Sequence, residues 1–147
     1  MSDSAAFRIM TEIGIIHQLG STLFERGLPD NLTMPQFAVL NHLARLGGEH
    51  SPVELARAMQ VTKATMSSTL GRLDSKGFVT SAPDPNDGRG RRIALTAVGR
   101  KARERAIRSV APHIAAIERE IGVRALEGAL PLLTKIRTFL DQRRGED

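Results

Sequence analysis

The sequence contains no cysteine, no tryptophan and no tyrosine, and only five phenylalanines among its 147 residues. Without cysteine there is no disulfide, no thiolate metal site and no thiol redox switch, which is compatible with a reducing cytoplasm. With so few aromatic rings the core must be built from aliphatic stripes. The first residues lack the charged start, apolar centre and small-residue cleavage site of a secretory signal. No uninterrupted apolar run is long enough to span a bilayer, so a soluble cytoplasmic protein with no membrane partner is expected. The phosphate-binding glycine loop, the metalloprotease helix and the nucleophile elbow are all missing, so no enzyme and no cofactor are expected.

What is present is positive charge, unevenly spread. The net charge is +5, which favours an anionic partner. Between Val61 and Arg108 there are 11 Lys or Arg against 4 acids, a net of +7, so the remainder of the chain is net acidic at −2.

That basic stretch begins beside two successive helix starts. Ser51-Pro52-Val53-Glu54 is a capping box with proline where a missing N–H costs nothing, and Leu55, Ala56, Ala58 and Met59 supply a short apolar helix. Gln60-Val61 then lead to Thr62, a second N-cap, and two helices joined by so short a turn cross steeply. At about 100° per residue, Met66, Leu70 and Leu73 fall on the face packed on the domain. Opposite lie Ala64, Ser68, Gly71 and Ser75, flanked by Thr65, Ser67 and Arg72. Small and hydroxyl-bearing residues let a backbone approach a groove floor while side chains reach phosphates and base edges. The candidate DNA contacts of this helix are Thr62, Lys63, Thr65, Ser67, Ser68 and Arg72.

Gly77 reads as the helix terminator, followed by strand-like Phe78-Val79-Thr80 and Arg92-Ile93-Ala94-Leu95. Pro83, Pro85, Asn86, Gly88 and Gly90 exclude helix between them, so a hairpin with a long tip from Ser81 to Arg91 is expected. Arg89, Arg91 and Arg92 make that tip a candidate for the minor groove, whose concentrated negative potential attracts arginine. Asp87 is out of place against phosphate, and its expected role is to orient Arg89 through an ion pair.

The run from Glu54 to Arg100 resembles the MarR family of bacterial transcription regulators. It carries the helix-turn-helix, the passage Leu73…Gly77-Phe78-Val79 into the wing, the D-x-R at Asp87-Gly88-Arg89, and Leu95-Thr96…Gly99 opening the next helix. The resemblance implies a dimeric, mainly helical regulator, most often a repressor, with the second helix in the major groove and the wing arginine in the minor groove. It also implies a small effector held between the first, second and fifth helices, for which His17, Phe37 and His42 are the candidate lining. Gly71 in the recognition helix departs from the pattern, since glycine there costs about 1 kcal/mol relative to alanine.

The flanks read as helices built for association. Ile9, Ile13, Ile16, Leu23 and Phe24 recur at helical spacing before Gly27-Leu28-Pro29-Asp30. Thr33 caps a helix striped by Phe37, Leu40, Leu43 and Leu46 and ended by Gly47-Gly48. Thr96 caps a long helix with a seam at Ile107, Val110, Ile114, Ile117 and Ile121, in which Pro112 predicts a kink and not a domain boundary. A last helix after Gly122, with Leu126, Leu130, Leu133, Ile136 and Leu140, leads to the charged tail Arg143 to Asp147.

The expected fold is therefore mainly α (α+β with a small β-wing) in a single regulator domain, 1–147. A winged helix-turn-helix at 33–96 sits between dimerisation helices at 1–28 and 97–142. The expected partners are double-stranded DNA, a second copy of the chain and a small-molecule effector. Two other functions stay open: a metal sensor using His17, His42, His50 and His113, and a non-specific architectural DNA binder.

Overall fold

The computed structural model describes residues 2–145, so Met1 and the end of the charged tail, Glu146 and Asp147, lie outside the described residues. Contacts divide the chain into two compact units, Met1–Val110 and Ala111–Asp147. The sequence led us to expect one domain with a kink at Pro112. The boundary between these units falls after Val110, just ahead of that proline, and the helix itself continues through it. Among the described residues, every buried apolar side chain lies at or before Ala106.

The first unit is assembled from capped helices. In α1 (Ala5–Glu25) Ser4 accepts from the Phe7 N–H. Thr33 and Gln36 form a reciprocal capping box at α2 (Met34–Leu46), and Ser51 and Glu54 do the same at α3 (Pro52–Met59). Gln60, left-handed at φ 55°, turns the chain so that Thr62 can cap α4 (Lys63–Ser75), accepting from the Thr65 N–H at 3.1 Å. Gly77, at φ 73°, ends α4 by donating to Asp74 O at 2.9 Å, and the Phe78 N–H donates to Leu73 O at 3.0 Å. This paired closure needs a left-handed residue and directs the chain into the sheet.

The sheet has three antiparallel strands in the order β1-β3-β2, with β1 at Glu49–His50, β2 at Val79–Asp84 and β3 at Asp87–Leu95. Two features differ from the sequence reading. The two-residue β1 pairs with Ala94 and Ile93 and was not foreseen, because so short a strand leaves no alternation to read. The expected long tip is also absent, since the strands run to Asp84 and resume at Asp87. Pro83 is accommodated because β2 is an edge strand, where a missing N–H breaks no ladder, and a register shift at Pro83/Asp84 relieves the turn.

The core gathers Val39, Leu40 and Leu43 of α2, Leu55 of α3, Met66, Leu70 and Leu73 of α4, and Ile93 of β3. The buried face of α2 is the i, i+3, i+4, i+7 set Gln36, Val39, Leu40 and Leu43. Phe37 is only partly buried at the rim and Leu46 is 57% exposed, so the expected stripe is shifted by a residue. A hydrophobic pattern could not include Gln36, the buried polar member.

Helix α5 (Ala97–Ile121) enters the core through Gly99, Ala102 and Ala106. Thr96 fixes its start: its N–H donates to Phe78 O at 3.1 Å, its hydroxyl donates to Gly77 O at 2.7 Å, and its Oγ1 accepts from the Gly99 N–H at 2.9 Å. A Cβ on Gly99 would lie 2.0 Å from Phe78 O.

In the second unit, Gly122 (φ 93°) separates the end of α5 from α6 (Val123–Gln142), which passes through Pro131 and buries no residue. A 3₁₀ turn, Arg143–Gly145, follows, with the Arg143 guanidinium 4.8 Å from the centre of the Phe139 ring.

Gly99→Ala should destabilise the protein by about 2 to 3 kcal/mol, because the backbone of the α4–β2 turn must shift to admit one methyl group. Chemical denaturation checks this, and an unchanged midpoint would mean that α5 does not approach Phe78 so closely.

Candidate nucleic-acid interface

Helix α4 has two distinct faces. Met66, Leu70 and Leu73 are buried, as the spacing requires, while Lys63, Ala64, Thr65, Ser67, Ser68, Gly71, Arg72 and Ser75 are exposed. Thr62 donates its hydroxyl to Thr65 Oγ1 at 3.0 Å, which holds both hydroxyls at the helix start. A Cβ on Gly71 would meet nothing within 4 Å, so packing within the chain does not require glycine there. What its presence leaves is bare backbone in the middle of an exposed helical face, where a groove floor can come close.

A wide depression of about 690 Å³ runs along α4, lined by Ala64, Thr65, Ser68 and Arg72 on one side and by Glu25, Thr33 and Pro35 on the other. Glu25 is held there by accepting from the Met34 N–H at 3.1 Å. Lys63 and the Arg72 guanidinium have no hydrogen-bond or ion-pair partner among the described residues.

The three wing arginines separate into different roles. Arg91 donates through Nε to Ser81 Oγ at 2.9 Å and through Nη2 to Ser81 O at 2.7 Å, tying β3 to β2. Arg92 lies between Asp84 and Glu49, with Nε 3.6 Å and 3.9 Å from their carboxylates, and so joins all three strands. Its Nε is buried without a hydrogen bond, held by charge alone. Arg89 is exposed, and its guanidinium has no partner among the described residues. Of the three candidate groove contacts, Arg91 and Arg92 are thus engaged within the sheet and Arg89 is not: the sequence shows charge but not the cross-strand acceptors that engage it.

The expected ion pair between Asp87 and Arg89 is not formed. Asp87 Oδ1 instead accepts from the backbone N–H of Arg89 at 3.1 Å, a turn closed by an aspartate side chain. Two residues of separation suit this local bond better than a reach to the end of a long side chain.

The same sorting applies to α5. Arg103 donates through Nε and Nη2 to Asn41 Oδ1 at 3.1 and 3.0 Å, and Arg105 donates to Asp30 Oδ2 at 3.1 and 2.9 Å. Lys76 is likewise engaged, by Asn31 O and Gln36 Oε1. Some of the net +7 therefore holds the unit together. Between Val61 and Arg108, the exposed cations without a partner among the described residues are Lys63, Arg72, Arg89, Arg100, Lys101 and Arg108.

A second cavity, of about 390 Å³, lies between α1, α2 and α4. His17 and Ser21 of α1 and Thr65 and Thr69 of α4 supply its polar atoms, and Met34, Ala38, Val39, Met59, Val61 and Met66 its apolar wall. Of the three residues proposed for a ligand pocket, only His17 lines it. Phe37 packs against the core, and the fifth helix does not contribute, since its inward face is Gly99, Ala102 and Ala106. His42 stands instead beside His50, ring centres 6.1 Å apart. Burial, reinforced by His50 and Arg45, holds the His42 imidazole below the usual histidine range. The His50 Nε2–H donates to Gly47 O at 2.7 Å. Among the described residues, no three His, Asp or Glu side chains come together as a metal site, so the metal-sensor reading finds no ligand set.

Comparison with known proteins bears on this arrangement of helices and wing. The profile of the MarR family matches residues 30–90. The chain is 38% identical over 86 residues to the transcriptional regulator HosA of Escherichia coli O111:H-, covering 58% of this chain and 62% of that protein. It is 31% identical over 96 residues to the transcriptional activatory protein BadR of Rhodopseudomonas palustris, covering 64% of this chain and 53% of that one. These matches span less than two thirds of either relative. The crystal structure of a mutant MarR from E. coli complexed with operator DNA superposes with a TM-score of 0.74 at 28% identity, covering 92% of this chain and 99% of that one. The fold, the capped helix pair and the wing agree with the winged helix of MarR regulators, and the MarR likeness in sequence lies in residues 30–90.

Proposed function

We propose that the protein is a sequence-specific, double-stranded-DNA-binding transcription regulator that works in the cytoplasm as a homodimer. The observation that carries this reading is the pairing of α4, whose outward face holds small, hydroxyl-bearing and basic side chains around bare backbone with the acid Asp74 at its edge, with one wing arginine that has no internal partner. Helix α4 lies in the major groove, with Thr62, Lys63, Thr65, Ser67, Ser68 and Arg72 toward phosphates and base edges. Arg89 enters the adjacent minor groove, set by the turn that Asp87 closes. The likeness to a MarR that was crystallised with operator DNA supports the same use here.

A regulator of this kind reads a pseudo-palindromic site with two copies of α4 about one helical turn, roughly 34 Å, apart. The apolar side chains Ile16 and Leu19 of α1, Ile114 and Ile117 of α5, and Leu133 and Leu140 of α6 are all 40% or more exposed in the single chain. Such surface suits burial against a second copy. We assign the 390 Å³ cavity to a small, largely apolar effector with a polar group toward His17 and Ser21, acting as a ligand that releases a repressor.

Fluorescence anisotropy against a pseudo-palindromic promoter fragment and its scrambled counterpart tests the central claim. Equal affinities would favour an architectural binder instead. Arg89→Ala should cost about 1 to 3 kcal/mol of operator binding, the scale of one good groove contact. Asp87→Ala should weaken binding as well, although it removes a negative charge. Tighter binding would show that the Asp87 turn does not set the arginine.

Ser68→Glu places an anion on the exposed face of α4 and should abolish binding while circular dichroism stays unchanged. Loss of helix in that variant would mean that Ser68 is buried. For assembly, sedimentation should show the intact protein as a dimer and the Ile117→Glu/Leu133→Glu protein as a monomer with weakened operator binding. A monomeric wild type that still binds one site tightly would remove the dimer from the mechanism.

A further inference from the structure

The loop between α1 and α2 is unusual in its backbone and in what it holds. Asp30 and Asn31 are both left-handed, at φ 60° and 52°, a conformation that costs non-glycine residues energy and that Asp and Asn tolerate best. Two consecutive residues in this state persist where the surroundings fix them. On one side, Arg105 of α5 donates two hydrogen bonds to Asp30 Oδ2, at 3.1 and 2.9 Å. On the other side, the next peptide offers its carbonyl, Asn31 O, to Lys76 Nζ at 3.0 Å. Lys76 is the C-cap of α4, and its ammonium also donates to Gln36 Oε1 at 2.9 Å. Gln36 is 3% exposed and completes the capping box of α2.

A continuous polar connection thus runs from α5 through Asp30 and Asn31 to the end of the helix that carries the proposed base contacts. The Asp30 and Arg105 side chains are 30% and 41% exposed, so an ion pair of this kind adds little to global stability. Its effect is geometric, because it holds two strained residues and, through them, the carbonyl that anchors Lys76.

We propose that Arg105, Asp30 and Lys76 are positioning residues that fix the pose of α4 relative to α5, and that this pose sets discrimination between operator and random DNA. The proposal rests on the DNA-binding reading above. Arg105 acts through Asp30 and does not serve as a phosphate contact.

The test uses an operator fragment selected by the full-length wild-type protein from a random-sequence duplex pool. The quantity read is the ratio of its affinity to that for a scrambled duplex. Arg105→Ala and Asp30→Gly should each lower this ratio about fivefold to tenfold, and the double variant should fall no further than either single one. Glycine adopts the left-handed conformation freely, so Asp30→Gly keeps the fold while deleting the clamp. It also makes the protein more basic, and simple charge attraction would then tighten binding to both duplexes. Asp30→Asn, which tolerates the backbone and keeps an acceptor oxygen for Arg105, should retain most of the wild-type ratio. A loss of stability alone would lower the active fraction and leave the ratio unmoved. A wild type that selects no sequence would sink the DNA reading and this proposal with it. A discriminating wild type whose Asp30→Gly variant discriminates as well or better would overturn the clamp alone, as would fully additive losses in the double variant.

Discussion

The first unit turns on the junction where α4 ends and α5 begins. Gly77 closes α4 in the left-handed conformation, and Thr96 bonds back to the carbonyls of Gly77 and Phe78. Gly99 then allows the new helix to lie almost against the Phe78 carbonyl. These contacts bring together residues 18 and more positions apart and define both ends of the wing at once, since β2 leaves one side of the junction and β3 returns to the other. The hairpin inherits its direction from this knot of backbone hydrogen bonds. Such bonds tolerate little displacement, because a buried carbonyl that loses its donor is left unsatisfied. Burial of Phe78, Val79 and Ile93 then fixes the base of the hairpin onto the helices.

Arginine serves this chain in several distinct ways. Arg91 and Arg92 hold strands together, while Arg103 and Arg105 hold α5 to Asn41 and to the loop before α2. Arg72 and Arg89 remain extended from the surface. The planar fork of five donors suits all these tasks, which explains why one residue type is used where lysine would give a point charge only. Net charge alone, then, overstates the number of cations available to an anionic partner.

Much of this was legible in the sequence, and what was not has a physical reason. The Ser51–Glu54 capping box, the Thr33 and Thr62 caps, the Gly77 terminator and the buried triad Met66, Leu70 and Leu73 all follow from local chemistry within four residues. The D-x-R pairing was right about proximity and wrong about the atoms, because sequence spacing does not distinguish a side-chain acceptor for a backbone N–H from one for a guanidinium. The engagement of Arg92 by Glu49 required β1, which is too short to leave a pattern. Gln36 and Lys76 were missed for a different reason: their bond spans 40 positions, and neither belongs to an apolar stripe. His42 was a candidate only through the pocket that the family resemblance implied, whereas the fold sets its ring beside His50.

Because Arg91 and Arg92 carry the internal bonding of the wing, Arg89 is structurally dispensable. Its replacement leaves the strand pairing, the Ser81 clasp and the Asp84–Arg92–Glu49 bridge in place. A lineage carrying this fold is therefore free to vary the residue at the wing tip without first finding a compensating change elsewhere. The architecture separates the arginines that must be kept from the one that can be altered.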